Sequence, residues 1–64
     1  MSHEEMKEWN EKYPSGSKCL VIYDDGTEHP HVTRSVGYFL GGGIPVVLID
    51  RKSGCYSMDR VRMV

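Results

Sequence analysis

Residues 44–58, with the sequence IPVVLIDRKSGCYSM, carry the strongest structural signal in the chain. The run Ile44 to Asp50 contains four β-branched residues, which is typical of a strand. Arg51-Lys52-Ser53-Gly54 has the composition of a hairpin loop, with Gly54 suited to a left-handed backbone. We therefore expect Cys55 to Met58 to return as the partner strand of an antiparallel pair.

Shorter extended segments lie on both sides of this hairpin. Residues 18–23 alternate side chains with a period of two, and the Asp-Asp-Gly-Thr sequence at 24–27 predicts a turn. Pro30 confines the segment after that turn to a sheet edge or an irregular loop. The three glycines at 41–43 end the segment before them, and Asp59-Arg60 predicts one tight turn. The remaining strands are expected at 28–34, 38–40 and 61–64.

The N-terminal segment, residues 1–13, has the features of a short helix. Ser2 and Glu5 have capping-box spacing, and Met6, Trp9 and Tyr13 fall on one helical stripe. The Pro-Ser-Gly sequence that follows ends the helix. A helix this short is unstable alone, so its stripe must pack on something. Two alternatives remain for the surface on which the stripe packs: the chain's own domain or a partner protein.

The predicted elements fit one mainly β domain covering residues 1–64, with the helix at 1–13 and a small barrel at 17–64. Five short strands joined by tight turns are expected to close on themselves, because closure hides their edges. The order of a strand, a long polar loop, a glycine-bounded strand, a tight hairpin and a one-turn helix resembles the SH3-like small barrels. That resemblance covers residues 17–64.

A second resemblance concerns short stretches of sequence. Thr33-Arg34-Ser35 through Leu40-Gly41, then Val46-Val47 and Asp59-Arg60-Val61, resemble short uncharacterised proteins of phages and prophages. The resemblance implies no known chemistry. It implies that the protein acts by binding and modulating a host protein.

Charge and cysteine content restrict the class of protein. The 64 residues carry a net charge of −1, which gives no general attraction to nucleic acid or membranes. Charge is uneven, since residues 1–13 sum to −2 and residues 51–64 sum to +3. No targeting segment or membrane-length apolar run is visible, so we expect a cytoplasmic protein. Cys19 and Cys55 lack metal-site or redox-motif spacing and are expected as ordinary strand residues.

No motif in the chain predicts catalysis, so we expect a protein that is not an enzyme and holds no cofactor. His29 and His31 are two residues apart and would project to the same side of an extended segment. Two histidines alone make an incomplete metal site, so no metal is assigned. Exposed loop residues and a pH-sensitive contact surface remain the alternatives. Catalysis would require an oligomer with a shared site.

We expect a non-enzymatic protein-binding module, with self-association through the strand at 44–49 as one form of it. The residues expected to contact a partner protein are Met6, Trp9, His29, His31, Arg34 and Tyr38. The alternative function is nucleic-acid binding by the basic C-terminal hairpin, with phosphate contacts and base stacking. The residues assigned to that alternative are Arg51, Lys52, Tyr56, Arg60 and Arg62.

Overall fold

The computed structural model describes residues 1–64 and contains six strands, one α-helix and one turn of 3₁₀-helix. The mainly β prediction with an N-terminal helix is confirmed. The elements are α1 (His3–Lys12), β1 (Lys18–Ile22), β2 (Glu28–Val32), β3 (Tyr38–Leu40), β4 (Ile44–Leu48), β5 (Cys55–Ser57), the 3₁₀-helix (Met58–Arg60) and β6 (Val61–Met63).

Helix α1 begins at a complete capping box. The Glu5 backbone N–H donates to Ser2 Oγ at 3.1 Å, and the Ser2 N–H donates to Glu5 Oε1 at 2.8 Å. These reciprocal bonds satisfy two backbone donors that a helix start leaves free. The helix ends at Lys12, where the N–H of Tyr13 still reaches the Trp9 carbonyl at 2.8 Å. No helix of this chain has the length and apolar character needed to cross a bilayer.

The strands form two separate antiparallel sheets rather than the predicted five-stranded barrel. One sheet has the order β2-β1-β6 and the other the order β3-β4-β5. They are linked by a single bridge between Thr33 and Ile49, flanked by the Arg34 N–H to Leu48 carbonyl and the Asp50 N–H to Val32 carbonyl bonds, both 2.9 Å. A barrel needs every strand paired on both sides, and only β1 and β4 are. The closed-barrel prediction is therefore wrong.

The core is small and lies between the two sheets. Cys19 and Val21 from β1 pack with Val47 from β4 and with Ile49, and all four are almost fully buried. Trp9 covers this cluster from the helix. Only nine of the 64 residues are buried, so contacts outside the core contribute a large share of the stability.

Helix α1 is fixed to the strands at Gly37. The Asn10 side chain donates to the Gly37 carbonyl at 3.0 Å and accepts from the Gly37 N–H at 2.7 Å. A Cβ at position 37 would lie 2.8 Å from Met6 Sδ and 2.2 Å from Met58 Cε, so glycine permits this close approach. The apolar stripe of the helix therefore packs on the chain's own domain.

Candidate functional site

A chain of hydrogen bonds links the two sheets through Tyr23, His31 and Asp50. Tyr23 Oη lies 2.9 Å from His31 Nε2, and His31 Nδ1 lies 3.0 Å from Asp50 Oδ1. Asp50 Oδ1 also accepts the N–H of Val32 at 3.0 Å. The Val32 N–H is the largest cause that lowers the pKa of Asp50, and the bond from His31 lowers it further. Asp50 is therefore held as a carboxylate.

The donors and acceptors of this chain assign the tautomer of neutral His31. The Asp50 carboxylate can only accept, so His31 Nδ1 carries the proton. His31 Nε2 then accepts a hydrogen bond from the Tyr23 hydroxyl. Lys52 Nζ lies over the Tyr23 ring, 4.1 Å from its centroid, and the interaction with Tyr23 is the largest cause that raises the pKa of the Lys52 ammonium. The order of donation is Tyr23 to His31 to Asp50.

His29 borders the same tyrosine. Its ring stacks on the ring of Tyr23 with centroids 3.9 Å apart, and its Nε2 lies 2.7 Å from Thr27 Oγ1. The Thr27 hydroxyl lies 2.6 Å from Asp25 Oδ1 and donates to it, so His29 donates to Thr27. The Thr27 hydroxyl bond is also the main cause that lowers the pKa of Asp25. Both histidines therefore face Tyr23, as the two-residue alternation predicts.

Two depressions open on either side of Tyr23. The smaller has a volume of about 370 Å³ and contains no carboxylate in its lining; it is lined by Tyr23, His29, Pro30, His31, Arg51 and Lys52. The larger, about 610 Å³, includes Asp24, Asp25, Tyr56 and Arg60 and shares Lys52 with the smaller one. The structure thus brings Lys52, Tyr56 and Arg60 of the predicted nucleic-acid set to one depression.

Most of the predicted basic strip is matched by carboxylates. Arg62 Nε and Nη2 bond Glu28 at 2.9 and 3.1 Å, and Arg60 Nη1 bonds Asp24 at 2.9 Å. Arg51 Nε lies 3.4 Å from Asp50. The positive side chains of the last fourteen residues therefore lie beside carboxylates from elsewhere in the chain and do not form a continuous positive surface.

The β3-β4-β5 sheet leaves an apolar face uncovered. Tyr38 is 36% exposed, Leu40 40% and Ile44 50%. Leu40 lies opposite Ile44, and Tyr38 lies opposite the buried Val46, so all four share one face. We call this surface the β3–β4 face. Loss of hydration, followed by the nearby Cys55 thiol, raises the pKa of Tyr38, which favours the neutral phenol.

The structure places the six residues predicted to bind a protein in different environments. Met6 and His31 are buried beneath the surface, and Trp9 packs on the core. Arg34 donates from Nε to the Ile49 carbonyl at 3.0 Å and from Nη2 to the Lys52 carbonyl, so its guanidinium braces the hairpin. Of the six, Tyr38 lies on the β3–β4 face and half-buried His29 lies beside the smaller depression.

The residues predicted to contact a partner do not include Leu40, Ile44, Tyr23 or Asp50, although Ile44 belongs to the strand expected to self-associate. The first two carried a usable signal, because Tyr38 and Leu40 are two residues apart and the glycine turn brings Ile44 opposite Leu40. The link between Tyr23 and Asp50 had no local signal, since it depends on how the sheets meet.

The histidines and cysteines do not converge on a metal site. No group of three or more histidine, cysteine, aspartate or glutamate side chains is placed to hold an ion. Cys19 is buried in β1, Cys55 is half-buried in β5, and both are free thiols. Comparison of the chain with protein-family models, with curated proteins and with solved structures gives no match.

Proposed function

We propose that the chain is a non-enzymatic protein-binding module whose contact surface is the β3–β4 face. The observation that carries the proposal is the exposure of Tyr38, Leu40 and Ile44 together on one face, where the strand residues of β3 and β4 are all uncharged. Val36, two residues before Tyr38, is also exposed, at 49%. Contiguous exposed apolar surface on a small protein favours contact with another macromolecule.

The exposed area determines how strongly the β3–β4 face is expected to bind a partner. These four side chains expose on the order of 350 Å² of mostly apolar surface, which is within the range of the largest patch on a typical monomer. Burying it contributes about 9 kcal/mol at ~25 cal/mol per Å². Loss of translational and rotational freedom costs a comparable amount. The face alone therefore supports weak binding, and a tight complex needs added contacts from its rim.

We extend the proposal to the fold and the partner. The order of six strands, with a 3₁₀ turn before the last, supports an open variant of the SH3-like arrangement. The resemblance to short phage and prophage proteins supports a host protein as the partner. The two free cysteines support the cytoplasm as the compartment, because thiols stay reduced there. A second copy of the chain is the other candidate partner, because an apolar face can be self-complementary.

Nucleic-acid binding ranks second because two of its arginines are already bonded to carboxylates. Tyr56 and Lys52 line one depression, which supports stacking beside a phosphate. Arg60 and Arg62 are bonded to carboxylates, and an incoming phosphate would have to replace those bonds. Titration with single-stranded and duplex oligonucleotides at two salt concentrations tests this function. Affinity that falls steeply with salt would support it, and no binding at low salt would remove it.

Affinity capture with matched variants tests the main proposal. Leu40→Glu places a charge on the β3–β4 face, whereas Val32→Glu places one on the other sheet at a residue of similar exposure, 36%. We expect the wild-type protein and Val32→Glu to retain the same partner and Leu40→Glu to lose it. Sedimentation of each purified protein distinguishes a second copy from a different protein. Equal capture by Leu40→Glu, with an unchanged circular dichroism spectrum, would refute the proposal.

A further inference from the structure

The smaller depression beside Tyr23 contains two cations with free donors. Arg51 approaches Asp50 with Nε, 3.4 Å from Oδ2, and its two terminal nitrogens make no hydrogen bond within the protein. The Lys52 ammonium carries three donors. Lys52 Nζ lies 4.1 Å from the centroid of the Tyr23 ring, which gives the ammonium a cation–π contact.

Arg51 differs in this respect from the other three arginines. Arg34 uses a terminal nitrogen on the Lys52 carbonyl, Arg60 uses one on Asp24 and Arg62 uses one on Glu28. Arg51 keeps its whole terminal fork free, and its side chain is 75% exposed. Such a fork matches the oxygens of a phosphoryl or carboxylate group.

The backbone of Arg51 is strained in a way that glycine would relieve. Arg51 has φ 59°, and it is the single non-glycine residue of the chain with a positive φ. A left-handed backbone costs an arginine free energy that glycine does not lose. Strained residues of this kind cluster at ligand clamps, where the side chain has a use that offsets the strain.

The hydrogen-bond chain from Asp50 fixes the Tyr23 ring over which the Lys52 ammonium lies. Asp50 bonds His31, His31 bonds the Tyr23 hydroxyl, and Lys52 Nζ lies 4.1 Å from the centroid of the Tyr23 ring. A preorganised donor loses less entropy on binding than a mobile lysine does.

We infer that the depression formed by Tyr23, His29, Arg51 and Lys52 binds the phosphoryl group of a phosphate monoester, with Arg51 and Lys52 as its direct ligands. A monoester presents three terminal oxygens, which the free donors of Arg51 and Lys52 can bond together. A carboxylate or a phosphodiester presents two. The carboxylates beside Arg60 and Arg62 limit the site to one phosphoryl group rather than a polyanion.

An NMR titration tests the site on the intact chain. The probes are inorganic phosphate and phenyl phosphate, with dimethyl phosphate and sodium chloride at equal ionic strength as references. We expect inorganic phosphate and phenyl phosphate to shift the amide resonances of Arg51 and Lys52. Both titrations should saturate at millimolar concentrations, with a dissociation constant on the order of 1 mM. Dimethyl phosphate should bind at least about tenfold more weakly, because it presents two terminal oxygens instead of three. Equal shifts with chloride would overturn the inference.

Variants separate a specific site from general electrostatics. Arg51→Gly suits the left-handed backbone, so it removes the guanidinium without disturbing the loop. Lys52→Met keeps the apolar stem, and Arg62→Ala is the matched control away from the depression. We expect about tenfold weaker phenyl phosphate binding in the first two and no change in Arg62→Ala. Unchanged affinity in Arg51→Gly would refute the site.

A final comparison identifies the source of the phosphoryl group. A phosphoserine peptide and a 5′-phosphorylated oligonucleotide are titrated beside their unphosphorylated forms. The inference requires that at least one phosphorylated form bind more tightly than its unphosphorylated match and that Arg51→Gly abolish the difference. If neither phosphate increases affinity, the site does not bind phosphate monoesters.

Discussion

Replacing Asn10 with alanine is expected to loosen helix α1 from the strands. The Asn10 amide donates to the Gly37 carbonyl at 3.0 Å and accepts from the Gly37 N–H at 2.7 Å. Both bonds are partly buried, and they join residues 27 positions apart in the chain. Alanine would leave both backbone groups of Gly37 without their side-chain partner beside the packed methionines.

The size of the effect follows from these two bonds. A side-chain hydrogen bond contributes about 0.5–1.5 kcal/mol net, and an unsatisfied buried group costs about 1–3 kcal/mol. Because the two bonds are only partly buried, the total for Asn10→Ala is about 2–3 kcal/mol. A 64-residue domain has a free energy of unfolding of about 3–10 kcal/mol, so the loss is a large fraction of it. With a urea m-value of about 1 kcal/mol/M, the midpoint should fall by about 2–3 M.

The fluorescence of Trp9 provides the assay. Trp9 is the one tryptophan of the chain, it precedes Asn10, and it packs against the core. Urea titrations of the wild-type protein, Asn10→Ala and Asn10→Asp should be run together. Asn10→Asp keeps the acceptor for the Gly37 N–H but faces the Gly37 carbonyl with a second acceptor, so it should also be destabilised. A midpoint for Asn10→Ala within about 0.3 M of wild type would mean that these bonds contribute nothing to docking.

Three other substitutions or conditions test separate parts of the structure. Gly37→Ala should cost about 1–2 kcal/mol by overpacking, because the flexible methionine ends can move only in part; thermal unfolding by circular dichroism measures it. Arg51→Gly should raise the free energy of unfolding by about 0.5–1 kcal/mol by relieving the positive φ, and a lower urea midpoint would contradict the strain argument. The Val32 N–H is the first cause of the lowered pKa of Asp50, so the ionised form stabilises the fold above the unfolded value of about 3.9. That stability is lost as pH falls through the lower folded value. The urea midpoint should therefore drop below about pH 4, and the drop should be smaller in Asp50→Asn.

Local sequence patterns predicted the elements closely. The capping box at Ser2 and Glu5 requires only neighbouring residues, and it forms as expected. The strand predicted from Ile44 to Asp50 appears as Ile44–Leu48, with Ile49 continuing into the bridge. The predicted tight turn appears as the 3₁₀-helix Met58–Arg60. Each of these features depends on side-chain period or turn chemistry, which the sequence carries directly.

Closure of the sheets and assembly of the site depend on contacts between residues far apart in the sequence, which local sequence patterns do not predict. The helix inserts at Gly37 and β3 is three residues long, so the strands stop short of a continuous ring of ladders. Burial of His31 is the second example. Its alternation with His29 predicted a shared side, but the partners that make burial favourable are Tyr23 and Asp50, 8 and 19 residues away. A polar side chain tolerates burial where its bonds are satisfied, and only the folded arrangement supplies them.

The small core connects the proposed contact surface to stability. The chain buries nine residues, yet Tyr38, Leu40 and Ile44 stay exposed on the β3–β4 face. A partner that binds this face in the folded state at 100 times its dissociation constant adds about 2.7 kcal/mol. That gain equals the loss expected from Asn10→Ala, so saturating partner should restore the urea midpoint of that variant. It should not restore Leu40→Glu combined with Asn10→Ala, because the charge removes the contact. The proposed binding would thereby be linked to folding through one uncovered sheet face.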